Sequence, residues 1–513
     1  MIIIYQTLPR LFGNRTNHNV KGGTMAECGC GKLNDFTADE LRRIREMGFT
    51  HVWYTGVIRH ATQTDYTAYG IPRQTADIVK GVAGSPYAIA DYYDIDPDLA
   101  VDVRNRMGEW EALVERTHQA GLKVIMDFVP NHVAREYKSV SLPEGEEGLT
   151  DENFYLLDGE VHIGSYVERP AKATGNNVFN NHPSTNDWYE TVKLNYEHRD
   201  TWQKMTRILL FWAAKGIDAF RCDMAEMVPT DFWTYATKTV KEAYPQVDFI
   251  GEVYSPGLYR EYIRSGFDYL YDKVGMYDCL RDVVSKGRPT TDITWQWQAT
   301  DDIRNHMLYF LENHDEQRTA SDFFCGNADA AVPAVMTALL MQSNPFMVYM
   351  GQERGERGMD EEGFSGRDGR TTIFDYWTLQ SLCSPDAAAL QLEERYRQLL
   401  HIANEEKTAR EGLFFDLMYV NRDASLFDSS RLYAFLRKAG DELLLAVVNF
   451  ADRNIGCSVN IPAHAFDFLR LPEGTFEATE LLSGNRRFVS LSPATPVSME
   501  VPAYSGCLYK IGV

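Results

Sequence analysis

The feature that most constrains this chain is a regular alternation of short apolar runs with amphipathic segments of helical period. Eight runs read as strands: Ile2 to Gln6, His51 to Thr55, Lys123 to Phe128, Ile217 to Cys222, Asp248 to Glu252, Phe267 to Tyr271, His306 to Leu311 and Phe346 to Met350. The clearest helical periodicities lie in Thr37 to Met47, Glu109 to Ala120, Thr201 to Ala214, Asp231 to Ala243, Ala330 to Met341 and Leu390 to Ala403. Apolar strands followed by helices close most economically into a (β/α)8 barrel, an α/β fold with a TIM-barrel core. The sixth strand carries the weakest signal.

Two stretches break the alternation. Residues 133–200 are rich in Asn, Glu, Gly and His and far exceed the roughly two to six residues of an ordinary β/α loop, so an inserted subdomain is expected on the catalytic face. From Gly412 onward, closely spaced strand patterns such as Leu432 to Arg437, Glu442 to Asn449, Cys457 to Ile461 and Gly506 to Ile511 read as an antiparallel β-sandwich. The expected division is therefore a barrel over 1–132 and 201–411, an insert over 133–200 and a C-terminal domain over 412–513.

Charge narrows the partners. With 51 Lys and Arg against 73 Asp and Glu, the net charge of −22 disfavours nucleic acid and anionic membrane surfaces but not a neutral substrate. No run of about eighteen apolar residues suggests a membrane span, and Met1 to Gln6 has neither basic flank nor cleavage site. Six of the eight cysteines stand singly and read as reduced core thiols, which points to the cytoplasm. Cys28 and Cys30 are separated by one glycine, too close for the usual zinc knuckle, and read as a plain loop. No cofactor is expected, and the oligomeric state is not readable.

In a β/α barrel the chemistry collects where strands run into their following loops. The third strand ends in Asp127, followed by Asn131 and His132; the fourth gives Arg221 and Asp223; the fifth gives Glu252; the seventh gives His314 and Asp315. Alternation along the fourth strand puts Ala219, Arg221 and Asp223 on one side and Phe220 and Cys222 on the other. An arginine two residues before an aspartate can keep that carboxylate ionised and aimed, as a nucleophile requires, or can form a structural ion pair. Glu252 ends a buried run, which suits a carboxyl kept protonated by desolvation for use as an acid. Two such carboxyls on neighbouring strands are the equipment for cleaving a glycosidic bond through a covalent intermediate. His132 and the His314–Asp315 pair would suit sugar hydroxyls, although either histidine could equally be a satisfied core residue.

These four segments, in this order at barrel-strand ends, resemble the signature regions of the α-amylase superfamily, glycoside hydrolase family thirteen. The resemblance implies that Asp223 is the nucleophile, Glu252 the general acid/base and Asp315 the carboxylate that stabilises the transition state. It implies that Arg221 holds Asp223, and that Asp127, His132 and His314 line the non-reducing side of the scissile bond. The segment Gly84 to Tyr93 resembles the family's stretch after the second strand, with Tyr87 as a stacking platform, or simply a buried ring, and Asp91 as a supporting residue.

Departures carry information too. Many endo-acting amylases have a Lys-His pair after the nucleophile, whereas Met224, Ala225, Glu226 and Met227 stand here, so the leaving side must be recognised differently. In calcium-dependent members an aspartate joins the asparagine corresponding to Asn131 in binding the ion; Lys193 stands in its place. A lysine offers donors and no acceptor, so no metal is expected, with the ammonium donating to Asn131 and nearby carbonyls instead. Arg367, Asp368 and Arg370, in the glycine-rich loop after the eighth strand, either rim the site or form a solvated ion-pair loop.

The expected reaction is retaining cleavage of α-glucosidic bonds, α-1,4 for preference, in malto-oligosaccharides or related α-glucans. A transglycosidase, such as a glucanotransferase or a trehalose-forming isomerase, would share every catalytic residue. A non-catalytic sugar-binding or transporter-associated relative usually lacks part of the carboxylate set, which is complete here.

Overall fold

The computed structural model describes residues 1–359 and 368–513. Eight parallel strands close into a barrel: β1 (Ile3–Thr7), β2 (His51–Tyr54), β3 (Lys123–Phe128), β4 (Ala219–Cys222), β5 (Asp248–Gly251), β6 (Tyr269–Tyr271), β7 (Met307–Phe310) and β8 (Phe346–Tyr349). β8 pairs back onto β1, Ile3 opposite Phe346, which completes the closure. Each strand sends at least one residue into the barrel interior: Ile4, Trp53, Ile125, Ala219, Ile250, Tyr271, Leu308 and Met347 pack together there, with Phe310 as a second from β7. Their neighbours, such as Tyr5, Val52, Met126, Phe220 and Cys222, face the surrounding helices. The two-residue period of the strand separates the two layers.

The helices that cover the barrel include α1 (Ala38–Glu46), α2 (Arg106–Gln119), α3 (Arg199–Ala214), α4 (Thr230–Ala243), α5 (Tyr259–Arg264), α6 (Asp278–Lys286), α7 (Thr291–Ala299), α8 (Val332–Leu340) and α9 (Ala387–Glu405). Thr37 and Asp386 cap α1 and α9 by accepting the Glu40 and Ala389 amides, which satisfies donors that a helix start leaves open. The sixth strand is three residues long and runs into a π-helical turn at Lys273–Tyr277, which explains its faint sequence signal.

Between β3 and α3 the chain makes short antiparallel pairs, of which the innermost joins His132–Ala134 to Thr191–Lys193 with Lys193 opposite His132. Beyond α9, β9 (Leu413–Asp416), β10 (Leu432–Ala439), β11 (Glu442–Asn449), β12 (Ile455–Val459), α10 (Ala463–Leu469), β13 (Gly474–Glu480), β14 (Arg486–Leu491), β15 (Val497–Val501) and β16 (Ser505–Gly512) follow. They form a six-stranded sheet in the order β9-β10-β11-β16-β13-β14 and a two-stranded sheet of β12 with β15, both antiparallel. Arg437 of β10 is buried and donates to the Leu340 carbonyl at 3.0 Å and the Ala409 carbonyl at 2.9 Å, so one guanidinium ties the sheet to the end of α8.

One turn positions the site directly. Gly84 has φ +83°, its carbonyl accepts from Arg10, and a Cβ there would lie 1.7 Å from the Ala61 carbonyl oxygen. Both the backbone angle and the contact exclude a side chain. Gly84→Ala is expected to lower stability by about 2 kcal/mol or more in denaturant titration, and to lower activity by displacing Tyr87 three residues on.

Candidate active site

Asp223 follows β4 directly, and its amide donates to the Phe128 carbonyl at 2.9 Å, which fixes it across the mouth of β3. Arg221, fully buried on the same strand side, donates from Nη1 to Asp223 at 2.6 Å and stands 3.5 Å from Asp127. Its Nη2 lies 2.9 Å from Glu252 Oε1, an ion-pair contact not aligned as a hydrogen bond. A single guanidinium therefore touches three carboxyl groups.

Glu252 sits one residue past β5. Its Oε2 accepts the Met224 amide at 2.7 Å and its Oε1 the Tyr254 hydroxyl at 2.8 Å. Met224 has φ +43°, a conformation unusual outside glycine, and it is this turn that directs its N–H at the acid. Asp315 lies across the opening with 41% of its side chain exposed, its Oδ2 3.0 Å from His314 Nε2. The Gln6 side-chain amide contacts His314 Nδ1 at 2.8 Å, and the approach of Nε2 to Asp315 is an ion-pair contact not aligned as a hydrogen bond.

Beneath these groups, Asp127 accepts the Trp53 indole N–H at 3.0 Å and the Gly56 amide at 3.3 Å. The Tyr87 ring stacks on His314 with centroids 5.0 Å apart and has Arg221 at 5.3 Å on its face. A cavity of about 300 Å³ opens above, lined by Tyr87, His132, Asp223, Glu252, Asp315 and Tyr254, among others. Asp127, Arg221 and His314 lie under its floor as supports. Asp91 lies elsewhere: it is fully buried and accepts from Arg59, Ser139 and the amides of Val140 and Ser141, anchoring the start of the insert.

The electrostatics follow from crowding several acids around little positive charge. Burial pushes Asp223 well above the usual carboxylate range; Arg221 opposes this, while Glu252 and Asp315 add to it. Burial also raises Asp127, again against Arg221 and His314. For Asp315 burial is outweighed by His314, Arg221 and Arg370, and its carboxyl is held down to about 2. Burial, with Lys193 and Lys80 nearby, pushes His132 down to about 3, so its imidazole is neutral at ordinary pH.

Lys193 reaches Asn131 Oδ1 and donates to the Met227 carbonyl at 3.1 Å. It thus bridges the insert to the loop after β3 and the turn after Asp223. Burial lowers its ammonium to about 8. Among the described residues no group of three or more His, Cys, Asp or Glu is placed to hold a metal ion. The Cys28 thiol instead contacts Val20, and Cys30 the Asp98 carbonyl. Of the loop after β8, Arg370 pairs with Asp368, and Arg367 lies outside the described residues.

Several contributors have no counterpart among the residues that the sequence singles out. Gln6 and Trp53 stand at the ends of β1 and β2, where the strand-end rule that finds the carboxylates also applies. Tyr254 and the cavity-lining Trp188, Glu190 and Lys80 carry no such signal, and Met224 stands out in the sequence only as a departure from a Lys-His pair. Lys80 pairs with Glu190 at 2.8 Å, and Trp188 packs against His132 with ring centroids 5.2 Å apart.

Residues 6–413 match the family described as alpha amylase, catalytic domain. The chain belongs to that family. It is 26% identical over 459 residues to alpha-amylase MalA of Haloarcula japonica, an alignment that covers 88% of this chain and 56% of that protein. The chain thus matches little more than half the length of that relative. It is 23% identical over 500 residues to a cyclomaltodextrinase of Thermoanaerobacter pseudethanolicus, covering 92% of this chain and 74% of the other. In fold it resembles the maltogenic alpha-amylase AmyB of Thermotoga neapolitana, with a TM-score of 0.70 at 20% identity over 100% and 99% of the two chains.

Two measurements test the bridge and the histidine. Excess EDTA is expected to leave activity and melting temperature unchanged, whereas Lys193→Ala lowers the melting temperature and makes the insert open to protease; an EDTA-induced drop restored by Ca²⁺ would contradict this. His132 titrates near 3 folded and near 6.5 unfolded, so the native state binds fewer protons between those values and stability falls as pH drops through that window. The stability–pH curve of His132→Gln is expected to be flatter there than that of the unaltered protein.

Proposed function

We propose that this protein is a retaining glycosidase that cleaves α-glucosidic bonds of malto-oligosaccharides or related α-glucans. The observation that carries the reading is Arg221 in contact with both Asp223 and Glu252 beneath a cavity that Asp315 faces from the far wall. One planar group touching both carboxyls favours the closer of the two spacings seen in glycosidases, that of the retaining class. In this reading Asp223 attacks the anomeric carbon while Glu252 gives its proton to the departing glycosidic oxygen. Glu252 then takes a proton from water, whose oxygen displaces Asp223 from the sugar. Asp315, held ionised, grips hydroxyls and faces the positive charge that develops on the ring. Tyr87 and His132 would contact the sugar, with Asp127, Arg221, His314, Asn131, Lys193 and Asp91 in support.

The names of the relatives support α-glucans as the substrate class. The domain reading, a barrel over 1–132 and 201–411 with an insert over 133–200 and a C-terminal domain over 412–513, belongs to the same proposal. The insert supplies Trp188, Glu190 and Thr191 to the cavity wall. All eight thiols are free, which supports a reducing, cytoplasmic setting.

Asp223→Asn is expected to keep the fold and lower turnover by on the order of 10⁴, the scale of losing a covalent nucleophile; retained activity would sink the mechanism. Glu252→Gln is expected to lose less on a nitrophenyl glycoside than on maltotriose, because a good leaving group needs no proton. Equal losses would remove Glu252 from the acid role. A time course on maltotriose separates hydrolysis from transfer: glucose and maltose appear first in hydrolysis, longer oligosaccharides or trehalose first in transfer.

A further inference from the structure

A second cavity, of about 640 Å³, lies at the opposite end of the barrel, between the N-terminal ends of β7 and β8 and the C-terminal sheet. Its volume falls within the roughly 300–1,000 Å³ of small-molecule pockets. It takes no part in the chemistry above, because every catalytic candidate stands at the strands' other ends.

Two aromatic walls face this space. On one, Phe415 contacts Tyr419, His464 and Phe468, with ring centroids 5.4–6.3 Å apart, and Tyr419 and Phe468 are more than half exposed at the rim. On the other, Trp297 packs edge-on against Phe414 at 5.1 Å, and its indole N–H is fixed on Asp416 at 2.8 Å. At the cavity floor stands Gln342, only 2% exposed, whose amide nitrogen and carbonyl oxygen both lack a partner. A buried carboxamide with neither need met costs on the order of 1–3 kcal/mol per group, which marks a place where a ligand supplies the bonds.

The chemistry of the occupant can be narrowed by charge. Beside Gln342 lies the Arg437 guanidinium, which has no carboxylate partner among the described residues; burial, with Arg304 as a like charge, pushes it down to about 10. Of the acids lining the cavity, Asp301 and Glu411 pair with Arg304 and Arg410, and Asp416 already accepts from Thr294, Trp297, Tyr433 and the Met418 amide, so a cationic ligand finds no free carboxylate there. All three Arg437 nitrogens already donate, to Gly412, Leu340, Ser343 and Ala409, so an anion finds no open fork. A carboxylate would also satisfy only the Gln342 nitrogen and leave its oxygen bare. Hydroxyl groups, which donate and accept, meet both needs, and the flat C–H faces of a pyranose suit aromatic walls.

We propose that this cavity is a second saccharide-binding site, taking a maltose-sized α-glucan segment at the end of the barrel remote from the catalytic carboxylates. The saccharide class rests on the cavity; its α-glucan identity rests on the catalytic reading.

Titration calorimetry of the Asp223→Asn protein with maltotriose, which it cannot turn over, is expected to show two sites. Adding Phe468→Ala, a change at an exposed ring that leaves the core intact, should weaken one site by about tenfold or more and leave the other unchanged. Gln342→Leu should do the same. Phe468→Ala in the otherwise unaltered enzyme should keep kcat on maltotriose while losing affinity for soluble starch. A single equivalent in the disabled enzyme, or two sites indifferent to both substitutions, would overturn the proposal. So would a melting temperature raised by benzoate but not by maltose, or a dimer that Phe468→Ala dissociates in sedimentation. Turnover of maltotriose by the unaltered enzyme tests the catalytic reading separately, because its failure would not alter the number of saccharide sites counted.

Discussion

Everything at the catalytic end of this barrel depends on one buried cation. Arg221 is withdrawn from water, and moving such a charge inside costs several kcal/mol unless partners replace the lost solvation. Asp127, Asp223 and Glu252 do so, but at a ratio of three carboxyls to one guanidinium, with Asp315 facing the same space. Burial and that excess of negative charge raise the affinity of Asp223 for protons, and Arg221 opposes both. The guanidinium is thus the group in the cluster that favours the ionised Asp223 that the proposed displacement requires at its start. The neutral donors beneath, Trp53 and Gln6, orient Asp127 and the His314 ring without adding charge.

Much of this arrangement is legible in the amino-acid sequence, for a physical reason. Barrel strands are mostly apolar because both faces are buried, so charged residues at or just past their C-terminal ends stand out, and that end is where the site lies. Asp127, Asp223, Glu252 and Asp315 are conspicuous in the sequence for this reason. Gln6 and Trp53 obey the same rule but carry no charge and merge into their strands. The positive φ of Met224 and the meeting of Lys80 with Glu190 are products of packing between distant segments, and no local pattern encodes them. The sixth strand is faint because only three residues pair before the chain turns into the π-helical segment.

The insert is fastened to the barrel by an ammonium, and that choice has consequences a divalent ion would not have. A calcium ion gathers six to eight oxygens from several segments at once, so its removal frees them all. The Lys193 ammonium has three donors and reaches Asn131 and Met227, from two segments, and among the described residues it pairs with no carboxylate. Its attachment is therefore independent of ion supply but dependent on pH, because burial lowers the ammonium to about 8. Because Met227 closes the turn that begins at Met224, the same ammonium that holds the insert also braces the backbone beside Asp223.

That turn carries Met224 and Ala225 where the resemblance leads one to expect a Lys-His pair, and its bonds show what holds the segment in place. Met224 gives its amide to Glu252, and Glu226 accepts the amides of Tyr254 and Ser255 at 3.1 and 3.0 Å. The segments after β4 and β5 are thus laced to each other by backbone donors and two carboxylates, Glu252 and Glu226, and Glu252 is aimed by the Met224 amide and the Tyr254 hydroxyl. What this leaves facing the cavity there is a thioether and the Tyr254 ring. Such a surface offers packing and one hydroxyl, already engaged with Glu252, in place of charged hydrogen-bond donors. In the proposed reaction, recognition of the leaving sugar then rests on its apolar face more than on its hydroxyls, which loosens the demand for a long, fully bonded chain beyond the scissile bond.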